Sequence, residues 1–453
     1  MIFKNRSLMN QDGSVPVPLL VKCIEQHMKD IPRLRKLDDY VDGRHEILRR
    51  CFEDESIPNN RLVANHAEYI TSIMVGYVHG TPVIYSGENS QALQELFDEI
   101  EEDSHNAELG TDISVFGRGY ELVFMNNDQI PVPELAVLSP FTTDVVCDTT
   151  VKHKCMFAFT YTANLDLNDR CTGYTVTVYG KEFVDSYQCS NLRNPATYQR
   201  LSREISYFGK VQVTEYRNNK KGRGDFEGVI TLIDAYNLLQ SDRINDKEQL
   251  ADALLAIENG SLGDDEDERS ETAALIRKEK ILELDQGGKA YWVVKTLNED
   301  QVEVLKKAIK NDIHEFSFAP CLTDENFVGN SSGVALKYKL LGLEDKGKTK
   351  ERYFKRGLKR RLRMYENIFY LQVIPFRAAD ISIAMKRTLP VDDETQAKIA
   401  QETEGLISWA TRVTRFDPDL DVEAERAKLL AEQQADVQQK QKAFGSYDFK
   451  RLE

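Results

Sequence analysis

The chain has 453 residues, 41% of them hydrophobic and 29% charged, and carries a formal net charge of −15. That length predicts two to four domains with real cores. The acidic balance argues against tight non-specific DNA binding, since Lys and Arg supply affinity for phosphate, and no apolar run reaches the roughly eighteen residues that a membrane-spanning helix requires.

The stretch MIFKNRSLMNQDGSV has no apolar core followed by small residues, so it predicts no signal peptide. Residues 15–110 read as mostly helical, with helix spacing over 21–28 and 62–74 and an acidic amphipathic helix over 91–102. Residues 111–216 change character. YELVF (120–124), MFAFTY (156–161), TVTVY within 174–179 and VQVTEY (211–216) are rich in β-branched and aromatic residues and predict an antiparallel β region.

KKGRGD (220–225) reads as a flexible joint. Beyond it the apolar stripe Val229, Leu232, Ile233, Tyr236, Leu239, Leu250, Leu254, Ile257 predicts one long helix or two in tandem. A glycine-rich stop (259–263) and an acidic run (264–268) follow, then two short strands at 280–284 and 290–296. Asn298 with Gln301 forms a capping box that opens a second helix, with Val302, Leu305, Ile309, Ile313 and Phe316 on one face. Two long helices thus bracket a small block, a stalk with a tip. A loop covers about 319–332. A long helix from about 333 to 370 follows, with bends expected at Gly342, Gly347 and Gly357. Residues 393–409 and 421–444 read as polar helices.

The long helix holds the sharpest feature. Residues 346–363 carry ten Lys or Arg and one acid, a local charge of +9, which leaves −24 on the remaining 435 residues. Such separation favours head-to-tail contact between copies, or a polyanion touched without being held. The candidate cations are Lys348, Arg352, Lys355, Arg356, Lys359, Arg360 and Arg363. The string GLEDKGKT (342–349) also fits the letters of a nucleotide-binding P-loop. Glu344 and Asp345 would place carboxylates inside the phosphate cradle, and the only Walker B-like strand, VITLID (229–234), precedes it. The same residues also continue a helix. The seven histidines show no i, i+4 pairing, and no nucleophile elbow occurs, so nothing points to an enzyme or to a cofactor. The seven cysteines are scattered without a C-x-x-C and read as reduced, half-buried thiols of a cytosolic product; zinc spacing is absent even with His153.

At this point the chain resembles the portal proteins (head–tail connectors) of tailed bacteriophages, of the type found in long-tailed phages of Gram-positive bacteria. The matching segments are YVDGRHEIL (40–48), PNNRLVAN (58–65), VGYVHGTPVIY (75–85), FGRGYELVF (116–124), VITLIDAYNLLQSD (229–242) with DKEQLAD (246–252), and above all NFVGNSSGVALKYKLLGLE (326–344). The resemblance spans about 35–430 and departs at IAMKR (383–387), where a more aromatic strand is expected.

The resemblance implies an α+β, mainly helical fold with wing, stem, clip and crown regions, assembled as a twelve-membered ring around a channel. By position the wing would be 1–239 and 333–392, the stem helices 240–258 and 298–317, the clip 259–297, the tunnel loop 318–332, and the crown with its tail 393–453. It implies Asp324, Glu325, Asn326, Phe327 and Asn330 as DNA-facing tunnel-loop residues. Asp264, Asp265, Glu266, Lys280, Glu283 and Trp292 would be clip residues meeting terminase or a head-completion adaptor, and the basic patch would touch a neighbouring subunit or DNA. Double-stranded DNA, terminase, adaptor, capsid and scaffolding proteins are the implied partners, without a membrane, in a virion assembled in host cytoplasm. A P-loop nucleotidase and a non-portal helical adaptor stand as the competing classes.

Overall fold

The computed structural model describes residues 2–54, 57–87, 90–126, 131–251, 254–258, 265–270, 289–293, 299–322, 340–387, 401–402, 407–416 and 422–445. Two compact units divide the chain, residues 1–388 and 389–453.

Unit 1 is built on a six-stranded sheet. Its strands are β1 (Ile2–Lys4), β5 (Thr143–Asp148), β6 (Cys155–Leu165), β7 (Cys171–Tyr179), β8 (Phe183–Cys189) and β9 (Gln199–Ile205), adjacent in that order. Strand alternation sorts its two faces. Phe157, Phe159 and Tyr161 pack under Leu20, Cys23 and Ile24 of α1 (Val17–Met28), while Ala158 turns to a second sheet through Tyr120 and Val213. That sheet orders β10 (Val213–Arg217), β3 (Arg118–Met125) and β4 (Pro133–Leu138). Within 111–216 every described strand pair is antiparallel, as expected, and β1, from outside that span, joins β5 in parallel.

The helices form two layers. In one, α2 (Ile31–Val41), α3 (His66–His79), α6 (Ile230–Ala251) and the end of α7 (Glu299–Ser317) share a core of Leu34, Tyr40, Ile70, Met74, Ile233 and Ile313. Asn65 caps α3, its side chain accepting from the Glu68 amide at 3.1 Å. In the other, α4 (Ser90–Glu99) and α5 (Glu102–Phe116) pack with β3 on the long helix α8 (Leu341–Leu371). The acidic helix expected over 91–102 is two helices, because Glu101 adopts a left-handed backbone (φ 51°) that ends one and starts the next. Gly117 ends α5 at φ 80°, where a Cβ would stand 2.3 Å from the Gly222 carbonyl oxygen. Only glycine fits that turn into β3.

The expected stem helix over 240–258 is shorter than the sequence suggests. It stops at Ala251, and β11 (Leu254–Glu258) pairs antiparallel with β12 (Lys289–Val293). A short apolar run serves either period, and strand pairing with a partner thirty residues on decided it. The strand expected over 280–284 and the cap residue Asn298 lie outside the described residues, as does 333–339, the expected start of the long helix. β13 (Ser382–Ala384) follows α8 and pairs with β2 (Ile84–Ser86). In unit 2, α9 (Trp409–Phe416) and α10 (Val422–Gly445) are helical. Within the helical segment expected over 393–409, residues 401–402 are helical and α9 begins at Trp409, while 393–400 and 403–406 lie outside the described residues. Among the described residues no helix is long and apolar enough to cross a membrane. Of the cysteines, Cys23, Cys147 and Cys189 are buried and Cys51 and Cys171 exposed, so half-burial describes few of them.

Candidate functional site

The long helix α8 organises unit 1. Its apolar positions Phe354, Leu358, Leu362, Tyr365 and Phe369 fall at i, i+4, i+8, i+11 and i+15, one helical stripe, and all are buried. The bends expected at its glycines do not break it. Residues 341–371 form one uninterrupted helix, roughly 46 Å long at 1.5 Å per residue. Gly357 serves close approach: a Cβ there would lie 2.2 Å from the Tyr216 ring. At Gly347 the corresponding distance to the Tyr77 ring is 3.1 Å.

Two buried ion networks hold the helix in place. Arg361 is fully buried and pairs with Glu102 of α5 and Glu121 of β3. Its Nε donates to Glu121 at 2.8 Å and its Nη2 to Asn106 Oδ1 at 2.8 Å. Tyr216 donates to Glu121 Oε2 at 3.1 Å and Tyr85 to Glu102 Oε1 at 2.7 Å, so each carboxylate gains a phenol donor beside the guanidinium. Burial alone would push the Glu121 carboxyl up, but Arg361 and His105 outweigh it and hold it at about 2. About three turns toward the N-terminus, buried Lys350 pairs with buried Asp225, which also accepts from Ser114 Oγ at 2.6 Å and Asn218 Nδ2 at 2.9 Å. Lys346 adds a fourth contact at 3.2 Å and donates to the Ser317 carbonyl at the end of α7 at 2.8 Å. Burial opposes ionisation of Asp225, yet Lys350 and Lys346 hold its carboxyl well below the usual range.

The basic patch therefore divides. Lys355 pairs with Glu351 at 2.5 Å, Lys348 with Glu344 at 3.5 Å, and Arg360 donates to the Val211 and Val213 carbonyls at 3.1 and 3.3 Å. Arg387, within the segment that departs from the family pattern, reaches back to Glu351 at 2.6 Å. Arg352, Arg356, Lys359 and Arg363 are exposed, and none forms an ion pair among the described residues. Like charges four apart on a helix each cost about 0.2–0.5 kcal/mol, so this stripe is unfavourable until something covers it.

Sequence reasoning missed Arg361, Lys350 and their partners as the centre of the unit. The one signal was Glu121, a carboxylate inside the apolar strand YELVF, at a position that must be buried and therefore paired.

The hairpin of α6 and α7 is tied by Arg243, which contacts Glu299 at 2.8 Å and Glu303 at 2.9 Å, and by Lys247, 3.1 Å from Glu299. Glu299 and Glu303 thus face α6, while Asp300 and Glu315 are exposed. At the foot of the hairpin His66 and His314 meet edge to face at 5.6 Å, and Tyr69 donates to the Pro320 carbonyl at 2.9 Å. Burial lowers the His66 imidazole to about 4, with His314 adding to the effect.

Of the expected clip residues, Asp265 and Glu266 are exposed beside a short helical turn over 266–270, and Trp292 stands on β12. Asp264, Lys280 and Glu283, and the tunnel-loop residues Asp324, Glu325, Asn326, Phe327 and Asn330, lie outside the described residues. The P-loop letters Gly342 to Thr349 are helix, with Glu344 and Lys348 paired along it and Lys346 turned inward. A phosphate cradle needs a turn of exposed backbone N–H groups, whereas from Glu344, which donates to the Leu340 carbonyl, these residues use theirs within the helix.

Residues 20–440 match the family model described as "Phage portal protein, SPP1 Gp6-like". A curated relative, the portal protein of Clostridium phage phiCD119, is 27% identical over 229 residues, 50% of this chain and 49% of the relative. The chain thus spans about half the length of the curated relative it matches. Two solved structures share 12% identity: the neck of an empty gene transfer agent particle (TM-score 0.43, covering 77% of this chain and 89% of that one) and the virion of a native gene transfer agent particle (TM-score 0.42, 85% and 93%). The match over 20–440 settles the lineage: the chain belongs to the SPP1 Gp6-like family of phage portal proteins.

Proposed function

We propose that copies of this chain close into a ring, of twelve subunits by family resemblance, at one capsid vertex. Double-stranded DNA is packaged and ejected through its channel. Family membership over 20–440 carries this reading, and the paired α6–α7 hairpin beneath the β11–β12 ladder supports its stem and clip. The tunnel loop over 318–332 and the clip over 259–297 take the roles inferred from the sequence, facing DNA and docking terminase and then an adaptor. Capsid and scaffolding proteins surround the ring during assembly in the host cytoplasm.

The chain's charge suits conduction. Twelve copies carry −180 in total. Acidic walls repel phosphate, so duplex slides, whereas many Lys and Arg contacts would have to break in series. We assign the chain no catalysis; a separate ATPase drives translocation. Electron micrographs of the purified protein test the reading. Rings with a central hole support it, and monomers in every buffer contradict it. Equilibrium ATP binding that Lys348→Ala abolishes would favour the nucleotidase instead.

A further inference from the structure

We infer that the exposed cations of α8 dock on the acidic face of α4 and α5 of the next copy, and that this contact closes the ring. The inference rests on the ring reading above and names the surfaces that make it.

At 3.6 residues per turn, Arg352, Arg356, Lys359 and Arg363 all fall within about 40° of the direction opposite Arg361. Arg361 points into the unit, at Glu102 of α5 and Glu121 of β3. The four cations therefore point away from α5, over about 16 Å of helix.

The acidic counterpart lies on the other side of the same layer. Residues 90–116 hold eight Asp or Glu and no Lys or Arg. Leu93, Leu96, Phe97, Leu109 and Ile113 turn inward to the α8 stripe, and Phe97 meets the Tyr365 ring edge-on at 5.5 Å. Glu95, Asp98, Glu99, Glu101, Asp103 and Glu108 are exposed, and none of them forms an ion pair among the described residues. The layer thus presents cations on one side and carboxylates on the other, back to back. Two such surfaces cannot satisfy each other within one chain. They can do so between copies, head to tail, which is the arrangement that closes a ring. A nucleic acid could cover the cations alone, but it would leave the matching carboxylates unanswered.

The test is charge reversal in the full chain. One variant carries Arg356→Glu with Lys359→Glu, the other Asp98→Lys with Glu99→Lys. All four side chains are exposed, and circular dichroism confirms that each variant keeps the helical content of the parent. Each variant alone raises the concentration at which half the protein is assembled by about tenfold or more, read by mass photometry. An equimolar mixture restores rings, because the two variants alternate with every contact again between opposite signs. Rings unchanged in both single variants, or folded variants whose mixture stays dispersed, overturn the inference while leaving the ring reading intact. An unaltered chain that forms no rings sinks the ring reading itself. If the stripe variant keeps its rings but loses binding to a 30-base-pair duplex in fluorescence anisotropy, the stripe serves nucleic acid and the inference fails.

Discussion

Replacing Arg361 with Met is the sharpest perturbation of the fold. The side chain keeps its apolar length and loses its charge, leaving the buried carboxylates of Glu102 and Glu121 without their cation. Removing one partner of a buried pair costs about 3–5 kcal/mol. The pH dependence gives an independent figure. Glu121 is held at about 2 against an ordinary 4.5, and 1.36 kcal/mol per unit gives about 3 kcal/mol. The sign follows from linkage. A depressed carboxyl contributes stability that is complete above pH 4.5 and is lost as pH falls toward 2. In Arg361→Met only His105 still opposes burial, the larger effect, so the Glu121 carboxyl rises and that variant loses stability as pH rises. Hydrogen exchange across Arg118–Met125 and Leu341–Leu371 reads both effects locally, and a 3 kcal/mol loss accelerates it roughly 100-fold. Adding Glu121→Gln to Arg361→Met recovers much of the loss. Exchange within about fivefold of the parent at pH 7, or a variant that gains stability from pH 5 to 8, would refute the reasoning.

Gly357→Ala destabilises unit 1 by about 1–3 kcal/mol despite alanine's better helix propensity, because the Cβ meets the buried Tyr216 ring. Gly347→Ala falls within about 1 kcal/mol of neutral, since the Tyr77 ring is 0.9 Å farther off, 3.1 against 2.2 Å; thermal melts rank the two. Burial, with Glu108 and Asp38, raises the Asp112 carboxyl to about 7, so folding favours its protonated form and stability falls as pH rises from 3.8 to 7. Asp112→Asn then stabilises at pH 8 by about 1 kcal/mol or more and flattens that slope. His66, lowered to about 4, contributes stability above pH 6.5 that is lost as pH falls through that window. His66→Phe removes that acid sensitivity, and the carbon resonances of His66 should stay neutral at pH 5.5.

What the sequence made legible follows how local each signal was. The long helix, the α6–α7 pair and the central strands rest on short-range periodicity and were readable. The six-stranded order was not, because β1 joins β5 across 144 residues (Ile2 to Val146) and leaves no local mark. The split of 91–102 into two helices turned on a single left-handed residue, Glu101, which is not glycine and gave no warning. The basic patch was visible as composition, but its division was not. Lys350 and Arg361 go inward because Asp225 and Glu121 await them 125 and 240 residues away. Only helix phase, once those anchors are known, identifies the four cations left outside.

Native mass measurement of the purified full chain, with images of the same sample, tests the central claim most directly. The account predicts a single species at an integral multiple of the chain mass, twelve by family resemblance, seen end-on as a ring with an open centre and dispersing as salt rises. A chain that stays monomeric at every ionic strength, or a closed particle with no passage through it, would contradict the account.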